Sequence, residues 1–340
     1  MNITKLAGMS LLASSLLLGA NSVAQKAKSA GLKAIPTDKA ELMKLIDPNK
    51  TVTPQRVALG KKLYFEPRLS KSGIISCNTC HNLGLGGVDG VPAAVGHKWT
   101  ANPHHLNSPT VYNAVFFSRQ FWDGRSPDLE DQAKGPTVAS PEMAATPEHI
   151  EKVVTSMPAY VSEFKTAYGK EVKINFDTIT KTIGIFERTL VTPSRFDDYL
   201  NGKEDALSDA EKAGLETFID KGCTACHTGI ALGGTMQPFP AVGKFKYAKV
   251  GDFKGDKNGM VKTPTLRNIT ETAPYFHNGT VWDLSEAVKI MGETQLGIKI
   301  SDEEAKKIVT FFGALKGKKP EIVYPQFPES TAKTPKPDFN

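Results

Sequence analysis

All four cysteines of the chain fall into two copies of one five-residue pattern, Cys77-Asn78-Thr79-Cys80-His81 and Cys223-Thr224-Ala225-Cys226-His227. C-x-x-C-H is the attachment signature of c-type haem. Two thiols about one helical turn apart add to the two vinyl groups of a porphyrin, and the adjacent histidine comes up beneath the iron as its proximal ligand. Cysteines in even number otherwise suggest disulfides in an exported chain, and C-x-x-C also serves redox pairs and zinc sites. A redox pair of the thioredoxin kind sits in a β-α-β context, and nothing around either motif reads as strand. A zinc site drawing on both pairs does not need histidine in the fifth position twice. The spacing therefore predicts two covalent haems, on Cys77 and Cys80 with His81 as ligand, and on Cys223 and Cys226 with His227.

The elements that must present these motifs repeat. Val57-Ala58-Leu59-Gly60-Lys61-Lys62-Leu63-Tyr64-Phe65 precedes the first and Ala213-Gly214-Leu215-Glu216-Thr217-Phe218-Ile219 the second, and both read as amphipathic helices. Downstream, Pro109-Thr110-Val111-Tyr112-Asn113 answers to Pro264-Thr265-Leu266-Arg267-Asn268, and each is followed at the same separation by an aromatic turn ending in Gly124 or Gly279. Ser208-Asp209-Ala210-Glu211 and Ser301-Asp302-Glu303-Glu304 are capping boxes that open helices. Residues 179–191 and 308–315 carry further helical stripes. Long Gly-, Pro- and Asn-rich segments, residues 82–96 and 229–258, suit a chain wrapping cofactors that supply much of its core. The expected fold is all-α: two cytochrome c-like domains, each wrapping one covalent c-type haem, with long irregular loops. Residues 25–192 form the first domain, and residues 193–340, ending in a Pro-rich tail, the second.

The 340 residues, 40% hydrophobic and 23% charged, exclude a fibrous repeat, a disordered chain and a polytopic membrane protein. A net charge of +6 without long blocks of one sign does not point to nucleic acid. Residues 1–24 read as a signal peptide: Lys5 opens it, an uncharged apolar run from Leu6 to Ala20 follows, and Ser22-Val23-Ala24 precedes a cut before Gln25. The run is shorter than the ~20 residues a spanning helix needs. A soluble, exported protein of the periplasm is the expectation.

The chain resembles the bacterial di-haem cytochrome c peroxidases over essentially its whole mature length. Besides the two haem motifs, the likeness rests on Gly96-His97-Lys98-Trp99, Asn107-Ser108-Pro109-Thr110, Gln120-Phe121-Trp122-Asp123-Gly124-Arg125, Glu130-Asp131-Gln132-Ala133-Lys134-Gly135-Pro136 and Pro141-Glu142-Met143. It continues in Pro264-Thr265-Leu266-Arg267-Asn268, Thr272-Ala273-Pro274-Tyr275-Phe276-His277-Asn278-Gly279 and Met291. The haem motifs alone are generic. The full series in this order is specific.

The resemblance implies an enzyme that reduces hydrogen peroxide to water. The first haem, on His81, is then peroxidatic, and His97 is a displaceable distal ligand on a loop with glycine neighbours. Glu142 corresponds to the acid–base residue and Gln132 to the polar partner that helps position peroxide. On the residues alone, Glu142 after Pro141 also reads as a first-turn helix carboxylate, and Gln132 as a solvated helix face. The second haem, on His227 with Met291 as thioether ligand, is the electron reservoir, since a thioether raises the potential. Met291 also reads as a core gap-filler; related enzymes that oxidise tryptophans of a partner protein carry tyrosine there. Trp122 corresponds to a tryptophan between the haems and His277 to a residue near the propionates. A calcium ion held by Asn107, Thr272 and Pro274 is implied by resemblance alone. So are a small donor protein, a cytochrome c or a cupredoxin, and a homodimer.

Overall fold

The computed structural model describes residues 22–340. Short polar side chains start its helices by accepting from the free N–H groups of the first turn. Ser22 opens α1 (Val23–Ser29), Asp38 opens α2 (Lys39–Ile46), and Thr53 with Pro54 opens α3 (Pro54–Phe65). The first haem motif forms the one-turn α4 (Cys77–Cys80). After a long loop come α5 (Leu129–Gln132), α6 (Lys134–Val138), α7 (Pro147–Thr155), α8 (Pro158–Tyr168) and α9 (Phe176–Glu187). The second half holds α10 (Arg195–Leu200), α11 (Asp209–Asp220), α12 (Leu284–Met291) and α13 (Asp302–Ala314). Both expected capping boxes are present, Ser208 with Glu211 and Ser301 with Glu304. The helical stripe at residues 179–191 ends early, at Glu187, and the segment that follows is held by Asn113, which accepts from the Thr192 N–H and donates to its hydroxyl.

The fold is mostly helical. Among the described residues one small sheet pairs β1 (Met236–Pro238), inside the segment 229–258 expected to be irregular, with β2 (Met260–Lys262) just beyond it, antiparallel. No helix among the described residues is long and apolar enough to cross a membrane.

The duplication read from sequence is visible in packing. α3 crosses α9 where Gly60 meets the Thr182 carbonyl, and α11 crosses α13 where Gly214 meets the Lys307 carbonyl. A Cβ at either glycine would collide with that backbone, so the absence of a side chain sets how closely each pair approaches. The two aromatic turns also match. Gln120 pairs with Ser126 and Tyr275 with Val281, while Phe121, Gly124, Phe276 and Gly279 all take positive φ. The repeats meet at Thr192. Its buried hydroxyl accepts from the side-chain amides of Asn113 (2.7 Å) and Asn268 (2.9 Å), the equivalent residues of the two units.

One core gathers α3, α7, α8 and α9, and another gathers α10, α11 and α13. The chain ends lie against the opposite halves from the expected split at 192/193. Ala24, Ala27 and Leu32 pack into the second core. In the Pro-rich tail Ile322 packs on the first core, Arg68 donates to the Pro328 carbonyl, and Asp338 pairs with Lys71. Apolar burial in one case, and ion pairs with proline backbone in the other, draw each end across. Most of the expected leader, residues 1–21, lies outside the described residues; Ser22 caps α1 and Ala24 is buried.

Inside the second half, Arg267 and Asp197 are both fully buried and joined by two hydrogen bonds of 2.9 and 2.7 Å. Arg267 donates further to the Ile230 carbonyl, and Asp197 accepts from the backbone of Ile35 and Ser194. Such complete pairing is what makes a buried charge tolerable. It ties residues 30–35, α10 and the loop after the second haem motif into one unit.

Candidate active site

α4 puts the Cys77 and Cys80 thiols one turn apart, and His81 terminates it with its N–H on the Cys77 carbonyl. No disulfide joins any of the four cysteines. Burial pushes the Cys80 thiol up to about 12 and Cys223 to about 11, so these are not the activated thiolates of a redox pair. Among the described residues no three His, Cys, Asp or Glu side chains converge as a metal-holding cluster, so the two pairs do not form one four-sulfur site.

His81 Nδ1 lies 2.9 Å from the Pro109 carbonyl. A carbonyl only accepts, so Nδ1 carries the proton and Nε2 keeps its lone pair for a metal. Burial holds the ring below the usual histidine range and hence neutral. The main-chain carbonyl of His81 accepts from the Tyr64 hydroxyl at 2.6 Å, which locks the turn.

The second motif follows Gly222, whose left-handed φ of 80° ends α11 and starts the turn Cys223–Ala225. His227 Nδ1 donates to the Leu232 carbonyl at 3.1 Å, and burial lowers the ring to about 4. Here the repeat breaks, because the acceptor is Leu232 and not Pro264, the counterpart of Pro109. Met291, the last residue of α12, lines the same cavity as Cys223, Cys226 and His227. A π-helical turn, Gly292–Leu296, follows it directly. Neutral imidazole, thioether and paired thiols converging on one apolar cavity fit a covalent haem.

Trp122, His277, Asn107, Thr272 and Pro274 border that cavity too. The Trp122 indole donates to the Asn107 carbonyl at 2.9 Å, and Asn107 N–H donates to the His277 carbonyl at 2.8 Å. The tripeptide 107–109 therefore bonds Trp122 at one end and His81 at the other. His277 packs edge-on to Trp122 at 6.3 Å, and burial lowers its pKa to about 4. The three residues expected to hold calcium share one wall, and the Asn107 side-chain amide donates to the Val91 carbonyl.

On the other side of the first motif, His97 N–H donates to the Glu142 carbonyl at 2.6 Å. Gly96 permits this approach: a Cβ there would strike the Pro141 carbonyl and the Glu142 backbone. Lys98 and Trp99 follow with φ of 60° and 57°, and Trp99 is 62% exposed. The His97 ring is flanked by Lys98, Lys71, Asp338 and Asn340, and its Nδ1 is buried without a hydrogen-bond partner. Burial raises the pKa of the Glu142 carboxyl, and Arg125 acts on it in the opposite sense. The charge of Glu142 is felt at Cys80. Gln132 ends α5, half-buried, and the turn bearing Glu142 folds back on α6 through Met143 N–H to the Pro136 carbonyl.

Three features were not singled out by sequence: Arg125 as the charge facing Glu142, the tail end beside His97, and the buried Lys262 on the second cavity. Arg125 closes a motif that was read, but its role toward Glu142 was not, and the other two have no motif of their own. Each arises from contacts between segments far apart in the chain.

A model of the family "di-haem cytochrome c peroxidase" matches residues 54–205. The cytochrome c551 peroxidase of Pseudomonas aeruginosa is 46% identical over 323 residues, 91% of each chain. That of Nitrosomonas europaea is 44% identical over 306 residues, 86% of this chain and 90% of its own. Among solved structures, a MauG-like protein associated with microbial copper homeostasis shares the fold, with a TM-score of 0.69 at 24% identity over 78% of this chain and 91% of its own. Likeness of this extent, over a chain that carries both haem motifs, places it in the di-haem cytochrome c peroxidase family, whose members are oxidoreductases acting on hydrogen peroxide.

Proposed function

We propose that the protein reduces hydrogen peroxide to two waters, using two protons and two electrons drawn from a small redox protein, a cytochrome c or a cupredoxin. His227 and Met291 would hold the second haem, which would take up the electrons, and His81 would hold the first, which would supply the iron for peroxide. The observation that carries this reading is that the tripeptide Asn107-Ser108-Pro109 bonds both the Trp122 indole (2.9 Å) and the His81 imidazole (2.9 Å). It supplies a short covalent and hydrogen-bonded path from the wall of one haem cavity to the iron ligand of the other.

When bound, the haems supply the redox chemistry and the iron that takes peroxide. The chain supplies the rest. Pro109 orients His81 and keeps its Nε2 unprotonated. Glu142 takes the proton from the near oxygen of peroxide and returns it to the departing one, so that water and not hydroxide leaves. Gln132 holds peroxide in line by hydrogen bonding. His97, on the loop tied to the Glu142 carbonyl, would serve as the displaceable ligand of the first haem, its release coupled through main chain to the acid–base residue. His277, held neutral by burial, packs on Trp122 and would lie near the propionates of the second haem. Asn107, Thr272 and Pro274 would hold a calcium ion through their oxygen atoms.

The domain split near residue 192, export to the periplasm after removal of the leader, and dimerisation belong to the same reading. Stopped-flow peroxide turnover on oxidised and half-reduced holoprotein, with spectra at each stage, tests it. The expected result is turnover that appears or accelerates after one-electron reduction. Peroxide left unconsumed at every oxidation level overturns it.

A further inference from the structure

Lys262 closes β2, and its N–H donates to the Trp122 carbonyl at 2.7 Å. The residue is 3% exposed. Among the described residues no carboxylate lies within ion-pair distance of its ammonium, which sits over the Phe117 ring, 4.4 Å from Nζ to centroid. Among the described residues Asp123 is the carboxylate whose charge acts on it, and Asp123 is already bonded to Arg125 at 2.9 Å. Burial accordingly pulls the Lys262 pKa down to about 7. A buried ammonium without a counter-charge is strongly disfavoured.

The cavity Lys262 borders is the one that holds Cys223, Cys226, His227 and Met291. No Asp, Glu or Arg is among the residues lining it, and its histidines, His227 and His277, are both held neutral by burial. Among the described residues that line the cavity, Lys262 is thus the single cationic side chain. A haem brings two propionate carboxylates into an otherwise uncharged pocket. Ammonium and carboxylate complement each other there, in charge and in their need for a partner.

We propose that Lys262 is the counter-charge for a propionate of the second haem on its Trp122 side, and that it thereby raises the reduction potential of that haem. A fixed positive charge stabilises the ferrous form, which carries one charge less than the ferric. The same charge reaches the first site, where Lys262 opposes protonation of His81. Lys262 acts through the cofactor's electrostatics and is a positioning residue, not a catalytic one.

This inference rests on the reading that a haem fills this cavity, so haem content is measured first, by pyridine haemochrome on wild type. Fewer than two haems per chain overturns that reading and the ion pair with it. With two haems present, K262M and K262R holoproteins are titrated spectroelectrochemically. K262M is expected to lower the reduction equilibrium constant of the Met291 haem about tenfold, ~59 mV for one electron, with K262R within threefold of wild type. An unchanged constant in K262M overturns the ion pair while leaving the two-haem reading intact. If K262M does not assemble, the propionate bending mode of the wild-type second haem in resonance Raman decides: a hydrogen-bonded frequency supports the pair, and a free-propionate frequency overturns it.

Discussion

His97 and Glu142 are joined through main chain. The N–H of His97 donates to the Glu142 carbonyl at 2.6 Å, across a contact that only Gly96 permits. The residue proposed to leave the iron and the residue proposed to handle the proton are thus parts of one backbone junction. Movement of the loop and placement of the carboxylate are mechanically coupled.

A larger side chain at residue 96 should separate the two. Gly96→Val is expected to keep two haems per chain and to cut peroxide turnover at least tenfold, because the added branch meets the Pro141 carbonyl and the Glu142 backbone. Haem staining beside steady-state assays checks it.

Removing the proton carrier should be more severe. Glu142→Gln keeps the shape and loses the base, so turnover is expected to fall by about 10²–10⁴-fold. Haem content and the spectra of both haems should stay as in wild type. A variant that retains most activity would assign the proton step elsewhere.

The pH profile carries a sign. Burial raises the Glu142 pKa, so the carboxylate needed as base disappears on acidification at a higher pH than an ordinary glutamate. The acidic limb of kcat/KM is expected above the usual carboxylate range. Arg125 lowers the pKa of Glu142, so Arg125→Ala should move that limb further up; a downward or absent shift contradicts the pairing.

Thr192→Val tests the junction of the two repeats. It strips the acceptor shared by Asn113 and Asn268 and leaves two buried amide groups short of a partner. A loss of about 2–3 kcal/mol is expected, from ~1 kcal/mol or more for each unmade bond. Urea unfolding of the holoprotein, followed by far-UV circular dichroism, measures it.

The local features were legible in the chain itself. Helix starts at Ser208 and Ser301, the two C-x-x-C-H turns and the paired aromatic turns at Phe121 and Phe276 are set by residues within a few positions of one another, so spacing suffices to read them. The acidity of Glu142 was not legible, because residues 141–143 read equally as a helix start, and burial with Arg125 nearby exists only once the loops fold together. The crossing of the two chain ends, the π turn after Met291 and the lone ammonium of Lys262 belong to the same class. Covalent chemistry is written into adjacent residues. Charge, solvation and the coupling of His97 to Glu142 depend on distance through space, and tertiary packing alone decides that.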